Sequence, residues 1–482
     1  MARRDESEAS PGLTPDGKML FALLAVILLG PYLPILGIIR LVGFEISEGH
    51  ENARLDNVAV PLVAFYVMAR AMVHQRLRIP VHIVWYLVFL AWLAVVTAIW
   101  WLNMPSQYAG STARGVGLLR SIDAYVRPAL ILLITANVRV NRRDFLFLVR
   151  LILAVTVVIV GVAVAQLLSV TKDAVNPFLA DYYDNSANPR FFWNVINQGR
   201  VASLMPLLST LGMYMVLAVG LIGAQFFGAA IFRKWGLLVL LLGITLIGGM
   251  LSGSKVFAVG VGMLIVMSFL FINSMPKVAV SRLLATVFAI TLVWIASAVV
   301  FPEQSDRLVG RVLPAEGNFV DQYFASRFDP DTGKVFRTGA VDIAQDYPIT
   351  GLGMNVVNRT TDSMLLGIFI MSGGVGFAMY LLIIGTVSTG LYRMSRGGDR
   401  DLAAISRMLL LLTLVYFIIA IGFHTLIQDR AGDAYWILVG LLLGPLYLRR
   451  GNTPMPTGSD SASPVSRSFP TPESPELRSP GE

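Results

Sequence analysis

Five residues have types and positions suited to acting on an anionic, phosphate-bearing molecule: Arg200, Lys255, Arg327, Arg337 and Asp362. Arginine offers phosphate a planar fork of donors, and lysine a point charge. Arg200 stands in Asn197-Gln198-Gly199-Arg200-Val201-Ala202-Ser203. Lys255 follows Ser252-Gly253-Ser254, and Arg327 and Arg337 lie in one long polar stretch. Taken singly, each is a snorkelling or solvated side chain. Taken together, they could clamp a head group such as a diphosphate. Asp362, in Thr360-Thr361-Asp362-Ser363-Met364-Leu365-Leu366, opens an apolar run. A carboxylate there is either a helix N-cap or a general base able to take a proton from a sugar hydroxyl.

A second group is Arg120, Asp123 and Arg127. Spacings of three and four put them on one helix face. Charge inside an apolar segment is expensive and faces a bundle interior or water. The trio is therefore either a buried ion-pair network that fixes packing or a wall lining a polar cavity. Other chemistry is excluded by composition. There is no cysteine, so thiolate metal sites, cysteine nucleophiles and disulfides are out. The four histidines, His50, His74, His82 and His424, have no metal-ligand spacing. No metal and no cofactor are expected.

The elements that must position these residues are membrane helices. The chain has 482 residues, 55% hydrophobic and only 14% charged, with a mean hydropathy of +0.68; soluble domains carry about 25% charged residues. A spanning helix needs about 20 apolar residues, and twelve segments qualify: 19–39, 57–74, 80–102, 115–136, 145–170, 201–227, 236–252, 255–273, 283–301, 363–391, 405–425 and 431–448. The second is interrupted by Pro61 and Arg70. The seventh and eighth are parted only by Ser252-Gly253-Ser254 and form a tight helical hairpin. The fold class is all-α and polytopic, with about twelve transmembrane helices.

Charge sets the orientation. Alternate loops carry Arg3, Arg4 and Lys18; Arg76 and Arg78; Arg139, Arg142 and Arg143; Arg233 and Lys234; Lys277 and Arg282; Arg393, Arg396, Arg400 and Arg407; Arg449 and Arg450. Positive loops mark the cytoplasmic side, so both termini are cytoplasmic. The net charge of +8 follows from these loops, and no basic stripe with interleaved aromatics suggests nucleic acid. Residues 1–18 form a cytoplasmic N-terminal segment with no cleavage site behind it, 19–450 a polytopic membrane domain, and 451–482 a Pro/Ser/Thr-rich tail that should be disordered. Two outward loops are long, 171–199 and 302–361. The larger lies between the ninth and tenth helices.

Within that loop, residues 337–346 form a short amphipathic helix on the membrane. Tyr347-Pro348-Ile349-Thr350-Gly351-Leu352-Gly353 then makes a tight turn. No strand precedes the Gly-x-Gly, so it is not a dinucleotide fingerprint. Gly373, Gly374 and Gly376 follow in the tenth helix and allow close packing.

An Arg, a short helix, a Tyr-Pro-(apolar)-x-Gly-x-Gly turn, and a polar residue opening a helix with paired glycines together resemble the bacterial O-antigen polymerase and ligase superfamily. The Ser-Gly-Ser-Lys turn at 252–255 is similar to that family's Ser-x-Ser-Arg/Lys element. Arg200 before the sixth helix also matches, and the resemblance spans roughly 197–380. It implies a metal-independent glycosyltransferase of the bacterial cytoplasmic membrane. Such a protein moves a glycan from a polyprenyl-diphosphate carrier to an acceptor hydroxyl on the outer face.

On that resemblance Arg337, Arg200 and Lys255 hold the diphosphate with Arg327 nearby, and Asp362 is the base or acceptor anchor. Apart from the resemblance, the cavity reading of Arg120, Asp123 and Arg127 makes them its lining. The implied partners are the lipid-linked oligosaccharide and membrane lipid, with a chain-length regulator or flippase left open. Family ligases commonly carry His where this chain has Asp362, which favours a polymerase over a ligase. A flippase of lipid-linked sugars is the reading from another class. It would need charges lining both halves of a central cavity. The polymerase reading predicts that Arg200, Lys255, Arg337 and Asp362 converge in one outward cavity open sideways to lipid.

Overall fold

The computed structural model describes residues 12–30, 32–33, 53–103, 114–168, 170–182, 201, 203–205, 207–232, 234–270, 340–354, 363–427 and 430–444, with scattered positions between 281 and 302. The described elements are α1 Pro15–Leu29, β1 Tyr32–Leu33, β2 Ala53–Arg54, α2 Leu55–Val73, α3 Val81–Asn103, α4 Arg114–Asn137, α5 Arg142–Leu167, α6 Lys172–Tyr182, α7 Leu208–Gly223, α8 Trp235–Ser252, α9 Lys255–Leu270, α10 Ala340–Asp346, α11 Met364–Ser395, α12 Arg400–Ile419 and α13 Ala431–Leu443. Six of these, α2, α3, α5, α8, α11 and α12, are long and apolar enough to cross a membrane. α7, α9 and α13 are apolar but shorter. This is the architecture of a helical membrane protein. Length and apolarity do not yield twelve spans among the described residues, and most of segment 283–301 lies outside them. The tail 451–482 and loop residues 302–361, apart from Pro302 and 340–354, also lie outside the described residues.

Several boundaries differ from the sequence reading for physical reasons. α1 does not reach residue 39. It begins at Pro15, capped by the Thr14 hydroxyl, and ends at Leu29 with Gly30 extended. Pro31 explains the stop, because proline drives the preceding residue out of helical geometry. A two-residue antiparallel ladder follows, pairing Tyr32 with Arg54 and Leu33 with Ala53. It is a small departure from an all-helical chain. The described residues of 201–207 are not helical before α7 starts. Ser203 holds a positive φ of 55° there, its N–H bonded to Gln166 and its hydroxyl to the Ile159 carbonyl.

Polar stitching brings those of the predicted positive loops that are described to one end of the bundle, while Arg3, Arg4, Lys277, Arg449 and Arg450 lie outside the described residues. Arg70 forks onto Asp16 at 2.6 and 2.9 Å, which satisfies an arginine that otherwise interrupts α2. The Arg139 N–H also reaches Asp16, at 2.7 Å. Asp144 accepts from the Thr14 hydroxyl at 2.5 Å and, with Asn141, closes a capping box on α5. Arg142 pairs with Asp401 and lies 3.4 Å from Asp399, and Asp401 also accepts the Ala230 N–H. Loops before α1, after α2, after α4, after α7 and before α12 therefore meet on one rim.

α13 runs through the middle of the bundle and is buried along its length. Trp436 packs edge-on against Tyr86 of α3 and Tyr435. Gly440 lets α4 come close: a Cβ there would sit 2.0 Å from the Thr135 hydroxyl. The turn between α8 and α9 is tight, with Gly253 left-handed at φ 56°. The two arms nevertheless part to clasp α7, whose Gly212 lies against Ser254. So the hairpin is closed at its turn but not along its arms.

Candidate functional site

The motif-bearing segments gather at the end of the bundle opposite the stitched rim. α11, which carries the paired glycines, is broken. Gly373 takes φ 62° and ψ −170° within its first third. A break frees backbone groups at a depth where lipid offers no partners, and irregular backbone is tolerated there only where protein covers it. The turn after α10 provides that cover. The Pro348 carbonyl accepts the Gly374 N–H at 2.7 Å. Leu352 and Gly353 donate to the carbonyls of Ile370 and Met371, each at 2.9 Å. The Trp92 indole donates to the Ser372 carbonyl at 2.8 Å. The Met354 N–H reaches the Thr97 hydroxyl of α3 at 3.0 Å.

Glycine is required on both sides of this joint. Gly351 and Gly353 have φ of 66° and 79°. A Cβ on Gly373 would come within 2.1 Å of the Ile349 carbonyl oxygen. The Tyr-Pro-Ile-Thr-Gly-Leu-Gly segment is thus a wedge seated in a helix break, so Gly373 does more than allow packing. α10, at 340–346, packs Ile343 against Leu352 and Ile370, with Trp100 and Tyr347 alongside. Its apolar side is buried in protein.

Ser363, not Asp362, caps α11. Its hydroxyl oxygen accepts the Leu366 N–H at 3.2 Å. It also donates to the Ala420 carbonyl at 3.3 Å. Asp362 is one residue outside the cap and lies outside the described residues, as do Arg200, Arg327 and Arg337. Their convergence in one cavity therefore also lies outside the described residues. Lys255 is described, half-buried at the first residue of α9. Ser252 beside it donates to the Gly249 carbonyl at 2.6 Å and accepts the Ser254 N–H at 3.1 Å. Those bonds fix the turn from which Lys255 projects.

Beneath this end lies a charge cluster that the sequence reveals only in part. Arg127 is 4% exposed and is shared among carboxylates from three helices. It reaches Asp56 of α2 at 2.7 Å, Asp433 of α13 at 3.2 Å and Asp123 of its own helix at 2.8 Å, and it also bonds Asn57. Arg54, also buried, forks onto Asp56. Arg430 donates to the carbonyls of Leu28 (3.0 Å), Gly30 (2.8 Å) and Leu204. Its own N–H goes to Asp433 at 3.2 Å. Arg430 adopts φ 63°, a strained position costing roughly 1–3 kcal/mol that the bonds around it must offset. The cluster thus gathers three arginines and three aspartates, with the Arg430 guanidinium spent on carbonyls, and the Asp123 side chain, 33% exposed, is the accessible member.

Of the two readings of Arg120, Asp123 and Arg127, the buried network holds for Arg127 and its partners. Asp123 alone of the described pair keeps a third of its side chain open. The Arg120 side chain lies outside the described residues. Arg54, Asp56, Arg430 and Asp433 escaped the sequence reading because what joins them into one cluster is distant in the chain: Arg127 for the two aspartates, and the carbonyls of Leu28, Gly30 and Leu204 for Arg430. The one available signal was Asp433, an acid near the start of an apolar helix. The cluster also ties Leu204, in the segment that follows Arg200, to α1 and α13. Among the described residues no group of His, Asp or Glu is arranged to hold a metal ion. No protein-family model matches the chain, and none of the curated proteins compared with it does so either.

Proposed function

We propose that this chain is a polysaccharide polymerase of the O-antigen type. It takes a glycan from a polyprenyl-diphosphate carrier and joins it to an acceptor hydroxyl of another lipid-linked repeat unit. In this reading the membrane domain has about twelve spans and both termini lie in the cytoplasm. The loop 302–361 is on the outer face of a bacterial cytoplasmic membrane. The acceptor oxygen attacks the anomeric carbon as Asp362 takes its proton. The bond from that carbon to the diphosphate breaks, and the lipid diphosphate leaves with the electron pair. Arg337, Arg200 and Lys255 meet the charge that develops on it, with Arg327 nearby. Fixed donors of this kind act without reorganising during the step.

The observation that carries the reading is the wedge seated in the break of α11. It anchors the chain between Arg337 and Asp362 at the bundle end that also holds the Ser-Gly-Ser-Lys turn and the segment after Arg200. Broken helices also occur in transporters, where freed half-helix ends bind substrate. Here the Gly374 N–H at the break is engaged by the wedge, so it serves anchoring. The buried network below, with its three arginines shared among carboxylates and carbonyls, holds the floor of the site.

The test is transfer by purified protein from a polyprenyl-diphosphate-linked oligosaccharide of its own host. Asp362→Asn and Arg337→Ala should each abolish chain growth at normal protein levels. Growth that survives both substitutions would remove the assignment.

A further inference from the structure

The opposite end of the bundle holds a cleft of about 510 Å³ that plays no part in the proposed chemistry. Its lining is Thr14, Asp16, Arg70, His74, Arg76 and Arg139, together with Pro15, Ala71 and Asn137. Three arginines and a single carboxylate line it. That carboxylate, Asp16, is held by the Arg70 fork and by the Arg139 N–H. The walls are fixed. Asn137 accepts the Arg78 N–H at 2.8 Å and donates to the Arg78 carbonyl at 3.0 Å, clamping the loop after α2 to the end of α4.

An apolar track leads into the cleft. Leu62, Tyr66 and Arg70 follow one another at four-residue spacing on α2, and Leu62 and Tyr66 are exposed. The Arg70 guanidinium sits over the Tyr66 ring, 5.7 Å from its centre. Met72 and Val73, on the last turn of the same helix, are also exposed. A basic pocket on the rim of a helix bundle, continuous with an exposed apolar stripe, suits a molecule with an anionic head and an acyl tail.

We propose that this cleft binds the phosphate group of an anionic phospholipid. The head group seats among Arg70, Arg76 and Arg139, and an acyl chain lies along Tyr66 and Leu62. Each arginine near an anionic lipid strengthens binding about fivefold.

The test is native mass spectrometry of the full-length protein, delipidated in detergent and titrated with phosphatidylglycerol, phosphatidylcholine or inorganic phosphate. Wild type should retain phosphatidylglycerol at least tenfold more tightly than phosphatidylcholine. The R76Q/R139Q double variant changes only exposed side chains and keeps the Arg139 N–H. It should lose about twentyfold in phosphatidylglycerol affinity with phosphatidylcholine unchanged. If the double variant does not yield folded protein, R76Q alone should lose about fivefold. Equal retention of both lipids by wild type, or no loss in the variants, overturns the proposal. Competition by inorganic phosphate at concentrations matching the lipid overturns the assignment to a lipid and leaves a simple anion site.

Discussion

Replacing Arg127 by methionine removes the cation that Asp56 and Asp433 share while keeping the side chain's bulk. Both carboxylates are buried, and the nearest remaining cation is Arg54, which already forks onto Asp56 and lies 3.9 Å from Asp433. Breaking a buried ion pair by deleting one partner costs about 3–5 kcal/mol, because the surviving charge is left without compensation. Asp123→Asn touches the same arginine from the other side. That carboxylate is a third exposed, and an asparagine oxygen still accepts from the guanidinium, so the loss stays below about 1 kcal/mol. Matched thermal scans of the two variants in one detergent, read by loss of the monodisperse peak, should place Arg127→Met about 5–10 °C below wild type. Asp123→Asn should fall within a few degrees of wild type. Adding Asp433→Asn to Arg127→Met should recover part of the loss, since it removes one stranded charge. Equal melting of Arg127→Met and Asp123→Asn would refute the argument that the network holds α2, α4 and α13 together.

Three further outcomes follow from the wedge and the caps. Gly373→Ala forces a Cβ against the Ile349 carbonyl and a positive φ on alanine, so it should displace the wedge. The expected cost is at least about 2 kcal/mol, with loss of chain growth; limited proteolysis within 340–354 should show the displacement. Ser363→Ala removes the α11 cap and should cost about 1 kcal/mol by thermal scan. It should leave turnover within a few-fold, in contrast to Asp362→Asn. Asp144→Ala deletes the α5 capping box and the Thr14 contact, and should cost about 1–2 kcal/mol by the same scan without affecting transfer.

The helices were legible because apolar runs are a local signal. α2 through α5 and α8 start or stop within a few residues of their apolar segments. Positive charge likewise anticipated that the described loops at 76–78, 139–143 and 393–400 lie at one end. What the sequence hid depends on distant partners. Nothing near Arg127 announces Asp433, which arrives from α13, or Asp56, which arrives from α2. Gly373 and Gly374 read as a packing surface, since a helix break is visible only when another segment supplies its missing hydrogen bonds. Asp362 and Ser363 are both capping residue types, and geometry alone gives the role to Ser363. α1 stopped short because Pro31 outweighed the hydrophobic residues beyond it.

Polymerase activity itself is read by a polymerisation assay. Purified protein would be given a polyprenyl-diphosphate-linked oligosaccharide from its host, with and without EDTA, and products would be sized by gel and mass spectrometry. A polymerase should give a ladder spaced by one repeat unit, unaffected by EDTA and absent in Asp362→Asn. Unextended substrate, in a preparation that is folded and binds the carrier, would contradict it.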